Sequence, residues 1–348
     1  MKKSIWMSYV LLAIGIGFIA WLVYKLGPRE ILRHFQEIGF NFFLFLIPTA
    51  LSNIFFTQAW NTYLKSNQLK VPFWHLFMAK QAGEAINISS PLSWGGGDPV
   101  RIYLIKKWVP VSQATASVVI DRTLNAMTSV LFMMIGILIA LIHFELTPAL
   151  KWGFIGALLF SFVVTFYFYR RQHEGMFEFL IDLLKKLRLK KNWEASTIEK
   201  AKEVDQLISQ FYRESRKAFA WAFILQFLTR IMGVAEIYFG AYFLGVELDW
   251  MGAYLVASIT VVINIIFVFI PGSVGVLEGT YAGVFHLLHA DAAAGTSIQI
   301  FRRIRMILWA APGFYYIYHL DRQTRLELHQ KAQESDTPEI EYRMEDAL

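Results

Sequence analysis

The sequence predicts an all-α, polytopic membrane protein, and three observations support this prediction. Hydrophobic residues make up 56% of the 348 residues, and charged residues only 17%. The apolar residues fall into continuous runs of about twenty, the length that an α-helix needs to cross the hydrocarbon core of a bilayer. Basic residues are concentrated in one polar region near the middle of the chain, a pattern typical of a cytoplasmic segment.

Six apolar runs are long enough to be predicted as spanning helices. In chain order they are Ile5 to Leu26, Phe40 to Leu64, Thr123 to Ile142, Trp152 to Tyr169, Phe219 to Leu244 and Ala293 to Tyr318. The first run follows two lysines but exceeds the apolar core of a signal peptide and lacks a small-residue cleavage site. We therefore expect it to be a spanning helix.

Two further apolar segments are each followed by a break rich in proline or glycine and then by a short helix. The first pair is Phe73 to Ser90 with Pro99 to Lys107, and the second is Gly252 to Ile270 with Glu278 to His289. A helix of about ten residues is about 15 Å long, half of the roughly 30 Å of hydrocarbon, so neither short helix can cross alone. We expect two broken, re-entrant hairpins. The alternative is that the longer segments span fully and the breaks are ordinary loops.

The polar region at residues 170–217 is strongly basic, and we predict a cytoplasmic helical insertion there. Counting spans outward from it places both termini in the cytoplasm. The predicted location is a cell (inner) membrane that the chain crosses several times. Residues 321–348 are acidic and poor in apolar side chains, so we predict a mobile tail after a single transmembrane domain at residues 1–320.

An internal repeat relates two parts of the chain at a fixed offset of 180 residues. Pro91 to Asp98 aligns with Pro271 to Glu278, and both stretches share a proline, a serine, a glycine and a final acid in register. The count of spans makes the two halves run in opposite directions across the bilayer. We therefore predict inverted repeats, repeat A at about 40–143 and repeat B at about 219–319. Such repeats with broken helices recur in transporters, where freed backbone groups line a central cavity. The residues expected to break the helices are Pro91, Ser93, Gly95, Pro271, Ser273 and Gly275.

Three arginines are predicted to lie at membrane depth. The apolar stretch after Arg302, Arg303 and Arg305 has about 20 Å of helix, less than the hydrocarbon thickness, so the arginines fall at or within its boundary. A buried arginine needs a partner or a wet cavity, and a guanidinium group suits a pair of phosphate oxygens. The alternative for Arg303 or Arg305 is that the side chain reaches out to the lipid head groups.

Acids and arginines also cluster at the two breaks. Asp98 and Glu278 each begin the helix after a break, where Glu278 could pair with Arg302 or Arg122 or take up a proton. For Asp98, which precedes a proline, the alternative is an ordinary helix cap. Glu84, Arg101, Asp121 and Arg122 surround the first break. Arg230 and Glu236 stand inside one apolar span, and each needs a partner elsewhere.

No motif for catalysis or metal binding is recognisable. The chain has no cysteine, which excludes thiolate metal sites and cysteine nucleophiles. His286, His289 and Asp291 form an incomplete ligand set, and phosphate-loop, nucleophile-elbow and zinc-protease patterns are absent from the sequence. We therefore predict no metal, no cofactor and no enzymatic activity.

At these same residues the chain resembles the lysylphosphatidylglycerol synthetase transmembrane-region family, a flippase-like integral membrane domain. The resemblance rests on Gly97-Asp98-Pro99-Val100-Arg101 followed by Asp121-Arg122, and on residues 271–278 followed by Arg302. The family pattern has glutamate where Asp98 and Asp121 stand here. Members fused to an aminoacyl-transferase domain also synthesise the lipid. Only a short tail follows the last predicted span in this chain, so the resemblance implies translocation alone.

The sequence thus predicts a lipid flippase or lipid-phosphate transporter for a phospholipid or a polyprenyl-phosphate-type lipid, with no role for nucleic acid. The predicted phosphate ligands are Arg101, Arg122, Arg302 and Arg303. The acids predicted to balance them or to carry a coupling proton are Glu84, Asp98, Asp121 and Glu278. The alternatives are an intramembrane lipid-modifying enzyme and a non-catalytic partner of a lipid or glycan synthesis enzyme.

Overall fold

The computed structural model describes residues 28–89, 96–143, 195–267 and 270–335, with side chains to His319, and isolated positions before residue 28 and between residues 148 and 163. These residues form eleven α-helices, one 3-10 turn and no strand. The all-α prediction is confirmed.

The helices of the first part are separated by short turns and by the break after residue 89. They are α1 (Pro28–Ile38), α2 (Asn41–Phe45), α3 (Ile47–Ser66), α4 (Phe73–Ser89), α5 (Gly97–Ile105) and α6 (Val111–His143). The second part repeats this succession of long and short helices. It contains α7 (Ala195–Glu214), α8 (Arg216–Phe243), α9 (Trp250–Ile266), a 3-10 turn at Pro271–Ser273, α10 (Val276–Leu287) and α11 (Ala292–Ser335).

Three stretches are long and apolar enough to cross a membrane: Asn41–Ser66, Val111–His143 and Arg216–Phe243. They contain or closely match three of the predicted spans. The predicted span from Ala293 to Tyr318 lies within α11, a helix that contains an internal proline. The predicted spans at residues 5–26 and 152–169 lie largely outside the described residues, so the number of spans stays a prediction.

The structure describes part of the predicted basic insertion at residues 170–217 and part of the predicted tail at residues 321–348. Helix α7 occupies part of the predicted basic insertion, whose residues 170–194 lie outside the described part of the chain. The Tyr212 hydroxyl of α7 is buried, and burial raises its pKa. Helix α11 continues to Ser335, so the first residues predicted as a mobile tail are helical, as their Arg, Leu, Glu and Gln content favours. Residues 336–348 are not described.

The predicted hairpin segments form helices with nearly the predicted bounds. Helices α4 and α9 have 17 residues each, about 25 Å, while α5 has 9 residues and α10 has 12. Each is shorter than the roughly 30 Å of hydrocarbon. Helix α4 packs on α5, and α9 packs on α10. These lengths and contacts are compatible with re-entrant hairpins, and re-entry itself stays a prediction.

The most extensive helix contact joins α3 and α8, which run antiparallel. Phe45, just before α3, lies beside Gly240 near the end of α8, and Thr49 donates a hydrogen bond to Glu236 at 3.2 Å. At the other end, Trp60 and Leu225 share one apolar cluster. The antiparallel contact is the one that an inverted repeat would place at its centre.

Several other contacts occur in corresponding pairs. Helix α11 packs on α4 as α6 packs on α9, and α3 packs on α4 as α8 packs on α9. Two copies of one helical unit would make these contacts. They support the predicted inverted repeat, which stays a prediction.

Glycines permit backbone contact between α4 and its two neighbours. A β-carbon added to Gly97 of α5 would lie 2.1 Å from the carbonyl oxygen of Gly83, and one added to Gly313 of α11 would lie 2.3 Å from that of Gln81. A side chain at either position would push the helices apart. The first hairpin therefore depends on glycine at position 97.

The bundle exposes large apolar side chains, and its largely apolar core also contains polar and charged side chains. Exposed large apolar side chains include Phe40, Trp74, Tyr242, Leu287 and Tyr315. Buried polar and charged side chains include Asn53, Gln81, Arg101, Asp121, Gln226 and Glu236. An apolar exterior is stable in contact with lipid tails. The charged side chains in the interior of the bundle need partners within that interior.

Replacing Gly97 with alanine is expected to lower the free energy of unfolding by about 1–3 kcal/mol, because the added methyl group overpacks the α4–α5 contact. Gly283→Ala is the matched control, since nothing lies within 4 Å of its added β-carbon. The control should leave stability unchanged or raise it by up to about 1 kcal/mol, because alanine favours helix. Thermal unfolding of the purified protein in nanodiscs measures both changes. Equal stability of the two variants would contradict the close approach.

Candidate functional site

The first charge cluster surrounds the start of α5. The Gly97 amide donates to Asn87 Oδ1 at 2.8 Å, which satisfies a free donor at the helix start. Asp98, in the first turn of α5, accepts hydrogen bonds at 2.9 Å on both carboxylate oxygens from Nε of Arg122 in α6. This ion pair fastens the short helix to the long helix that follows it.

A second ion pair of the same half is fully buried. Arg101 Nη2 donates to Asp121 Oδ2 at 2.7 Å, and the guanidinium carbon of Arg101 lies 4.1 Å from the centre of the Trp60 ring. Gln226 of α8 donates to the other oxygen of Asp121 at 2.7 Å. The pair therefore joins α5, α6 and α8, and its side chains are shielded from any ligand.

Glu278 occupies the equivalent place in the second half. Its Oε2 accepts from the Gly275 amide at 2.8 Å and from Arg303 Nη2 at 3.0 Å. Arg303 Nη1 also donates to the Gly272 carbonyl oxygen at 3.1 Å. This arginine therefore fastens α11 to both the break and the start of α10.

The predicted pairing of Glu278 with Arg302 or Arg122 was wrong. Glu278 pairs with Arg303 of its own half and not with Arg302 or Arg122. Neighbouring residues of a helix point about 100° apart, so Arg302 projects from a different side of α11. There it reaches Glu236 at 3.1 Å.

The break of the second half is built from left-handed backbone conformations. Gly272 has φ 59°, Gly275 has φ 82°, and Ser273 lies between them with φ 48°. The Ser273 hydroxyl donates to Asn264 Oδ1 at 3.1 Å. Pro271 opens the 3-10 turn, so the three predicted break residues of this half lie at the break. Their first-half counterparts, Pro91, Ser93 and Gly95, lie outside the described residues.

A polar cavity of about 370 Å³ lies between the two halves. Helices α3, α4, α6, α8, α9 and α11 contribute its walls. Its ionisable lining residues are Lys80, Glu84, Arg230, Glu236, Arg302 and Arg305. Its neutral polar lining residues are Thr49, Ser52, Asn125, Thr229, Thr260 and Asn264. The walls of this cavity therefore carry four cationic side chains and two carboxylates.

Glu236 is buried at the wall of this cavity and holds two arginines. Arg305 Nη1 lies 2.6 Å from both of its oxygens, and Arg302 Nε lies 3.1 Å from Oε2. Thr49 donates to Oε1 at 3.2 Å and accepts from Arg305 at 2.8 Å. Arg302 also donates to the hydroxyl of Tyr281. Arg305 is therefore paired inside the bundle and does not reach out to head groups.

Two other cations of the cavity have neutral partners. Arg230 Nη2 donates to Asn125 Oδ1 at 2.8 Å and to the Ser129 hydroxyl at 2.5 Å. Lys80 Nζ donates to Gln81 Oε1 at 3.2 Å and to Asn53 Oδ1. Neither makes an ion pair with the described residues. At hydrogen-bonding distance, these two cations therefore contact uncharged oxygens.

The predicted site residues separate into two groups. Arg302 and Glu84 line the cavity. The others, Arg101, Arg122, Arg303, Asp98, Asp121 and Glu278, form the ion pairs at the helix breaks.

Sequence reasoning missed four cavity residues as site members: Lys80, Arg230, Glu236 and Arg305. A signal was present for each, since a charged residue within a predicted apolar segment marks a functional position.

The described residues include no group of three or more His, Cys, Asp or Glu placed to hold a metal ion. Asp291 instead lies 3.4 Å from the ring of His34, whose other ring nitrogen is 3.0 Å from the Ser297 hydroxyl. These contacts fasten α1 to the start of α11.

Comparisons with known proteins add a family match. A family model described as lysylphosphatidylglycerol synthase TM region matches residues 8–313. A UPF0104 membrane protein of Pyrococcus horikoshii is 22% identical over 85% of this chain and 92% of its own length. Another from Methanothermobacter thermautotrophicus is 22% identical over 81% of this chain and 88% of its own length. No solved structure matches the chain.

The buried Arg101–Asp121 pair generates a stability prediction. Arg101→Met is expected to cost about 3–5 kcal/mol, because it leaves the Asp121 carboxylate buried without a cation. The double variant Arg101→Met/Asp121→Leu should recover most of this loss, since it leaves no unpaired charge. Denaturant unfolding in nanodiscs gives the free energies.

The control is Arg33→Met on α1, where an exposed arginine pairs with Glu30. It should change stability by less than about 1 kcal/mol. A double variant that is as unstable as Arg101→Met, or less stable, would rule out the unpaired Asp121 carboxylate as the source of the loss.

Proposed function

The chain belongs to the family of the lysylphosphatidylglycerol synthase TM region, and from this premise we propose that it moves a lipid with an anionic phosphate head group across the bilayer. Family and apolar helices together establish a multi-pass membrane protein of a lipid-related family. The proposal adds the activity and the ligand class.

One observation carries the proposal: a cavity with four cationic side chains lies inside a bundle whose outside is apolar. Its cations are Lys80, Arg230, Arg302 and Arg305. Charges in a membrane interior are costly unless they are paired or hydrated, and there they mark paths for ions or substrates. Guanidinium groups bind phosphate through paired hydrogen bonds. An anionic head group is therefore the ligand that this cavity fits best.

The position of the cavity supports movement across the bilayer. It lies between the halves, next to the antiparallel α3–α8 pair, and residues of α4 and α9 contribute to its walls. In transporters with inverted repeats, a central site of this kind is exposed to one side at a time by motion of one half against the other. We propose that the α4–α5 and α9–α10 hairpins make this motion while the lipid tails remain in the bilayer.

The two ion pairs at the breaks would act as latches. Asp98–Arg122 joins α5 to α6, and Glu278–Arg303 joins α10 to α11. Each latch holds a short helix against the long helix that follows it. In the proposed cycle, one latch opens while the other remains closed, so that the cavity never faces both sides together.

Glu236 would take the place of the head group when the cavity is empty. Its carboxylate already occupies the donors of Arg302 and Arg305, as a phosphate would. A bound phosphate would compete with it for these donors. We propose that Glu236, which was not predicted for this role, balances the cavity charge together with the predicted Glu84. The other predicted acids, Asp98, Asp121 and Glu278, would instead belong to the ion pairs at the helix breaks.

The proposed setting is a cytoplasmic membrane with both termini inside, and the proposed activity is transport without chemical conversion. Basic residues on α7 and at the start of α8 support this orientation. No cofactor enters the proposed cycle.

Arg230→Gln and Arg305→Gln are expected to slow lipid transfer about tenfold or more, because each removes a phosphate ligand worth at least about 1.4 kcal/mol. The assay uses proteoliposomes containing tail-labelled fluorescent phosphatidic acid and phosphatidylglycerol. Quenching of the outer leaflet by dithionite over time gives the rate.

Lys65→Gln is the matched control, because it removes one positive charge from an exposed position on α3. Its transfer rate should equal that of the unmodified protein. Size-exclusion profiles and melting temperatures establish that the variants are folded. Unchanged transfer by both arginine variants would refute the assigned role of the cavity.

A lipid carried by this protein should be recovered chemically unchanged. Incubation of the purified protein with radiolabelled phosphatidic acid or phosphatidylglycerol, followed by chromatography and mass spectrometry, is expected to return only the starting lipid. Heat-inactivated protein is the control. A new labelled species formed only by the active protein would favour the alternative of a lipid-modifying enzyme.

A further inference from the structure

The cavity between the halves carries more positive than negative charge. Its ionisable residues on the described part of the chain are Lys80, Arg230, Arg302, Arg305, Glu84 and Glu236. Four cations against two carboxylates leave a formal surplus of two positive charges. Because the surrounding bundle is apolar, a bound anion must offset this surplus to be held firmly.

One positive charge of the surplus belongs to the group of Arg302, Arg305 and Glu236, and the other belongs to the group of Lys80, Arg230 and Glu84. Glu236 accepts hydrogen bonds from both Arg302 and Arg305. Lys80 and Arg230 contact neutral oxygens of asparagine, glutamine and serine, as far as the described residues extend. Lys80 belongs to α4 and Arg230 to α8, so an anion between them would connect the two halves.

The same region also has more donors than acceptors. The Nε–H groups of Arg230 and Arg305 are buried and have no acceptor among the described residues. Buried donors in proteins are nearly always satisfied, and a donor that is not satisfied calls for a missing acceptor. Small rotations of these side chains would present the donors to the oxygens of a bound anion.

The cavity is small as well as cationic. A volume of about 370 Å³ lies at the low end of the 300–1,000 Å³ that is typical of ligand pockets. A terminal phosphate fits this space more readily than a phosphate that bears a further head group. Size and charge therefore favour the same kind of lipid.

We infer that the cavity selects a lipid ending in a phosphomonoester over a lipid whose phosphate is a diester, an inference that rests on the function proposed above. A phosphomonoester carries a charge of about −1.5 to −2 at pH 7 and has three acceptor oxygens. A diester carries a single negative charge and has two free oxygens. The monoester thus offsets the surplus charge, and the diester leaves part of it buried.

The test compares phosphatidic acid with its methyl ester, phosphatidylmethanol, which has the same tails. The purified full-length protein is incubated in phosphatidylcholine nanodiscs that contain both lipids in equal amounts. After re-extraction in mild detergent, mass spectrometry measures the lipids that remain bound. Phosphatidic acid should be enriched about tenfold over phosphatidylmethanol, as one additional charge interaction predicts.

Lys80→Gln lowers the surplus charge to one and is expected to reduce the enrichment to about threefold or less. Arg230→Gln should act in the same way and serves as the second variant if the first does not fold. Lys65→Gln, with its charge outside the cavity, should retain the full enrichment. Inorganic phosphate at the concentration of the lipid should displace less than about a tenth of the bound phosphatidic acid, because the lipid is also held by its tails.

Equal enrichment of the two lipids, or a preference for the methyl ester, would overturn the inference while leaving lipid transfer in place. Displacement by inorganic phosphate as effective as that by lipid would assign the site to a free anion and overturn the lipid part of the inference. Failure of both lipids to bind, together with absence of transfer in proteoliposomes, would overturn the proposed function itself.

Discussion

An ionised group inside hydrocarbon needs a partner of opposite charge or water, and this requirement explains the placement of the charged residues in the bundle core. Asp98–Arg122, Arg101–Asp121 and Glu278–Arg303 are paired where short helices meet long ones. The remaining interior charges gather around one cavity between the halves. Charge pairing thus fixes the positions of the short helices, and the charges that remain line the cavity that we propose as the binding site.

Much of the fold could be predicted because apolar runs and helix breaks are local features. The segment predicted at Phe73 to Ser90 is the helix Phe73–Ser89, and the second break occurs at the predicted Pro271, Ser273 and Gly275. Partners across the bundle could not be predicted, because they depend on how each helix is rotated about its axis. Glu278 therefore pairs with Arg303 and not with its neighbour.

The sequence identified only some residues of the candidate site, because the site is formed by contacts between helices that are far apart in the sequence. Arg302 and Glu84 were identified and do line the cavity, whereas Arg230, Glu236 and Arg305 were recognised as unusual charges without a common location. Sequence spacing cannot bring α8 and α11 together. Only the packing of these helices shows that one carboxylate on α8 binds two guanidinium groups on α11.

The two halves of the chain differ at the position of the buried Arg101–Asp121 ion pair, which belongs to the first half. At the offset of the repeat, the corresponding residues of the second half are Tyr281 and Phe301, which are buried aromatic side chains. A buried ion pair is strongly destabilised when either partner is lost, whereas buried aromatic side chains leave no unpaired charge behind. The first hairpin is thus held by two opposite charges where the second is held by the fit of aromatic rings, so in the proposed cycle the two hairpins would not open with equal ease.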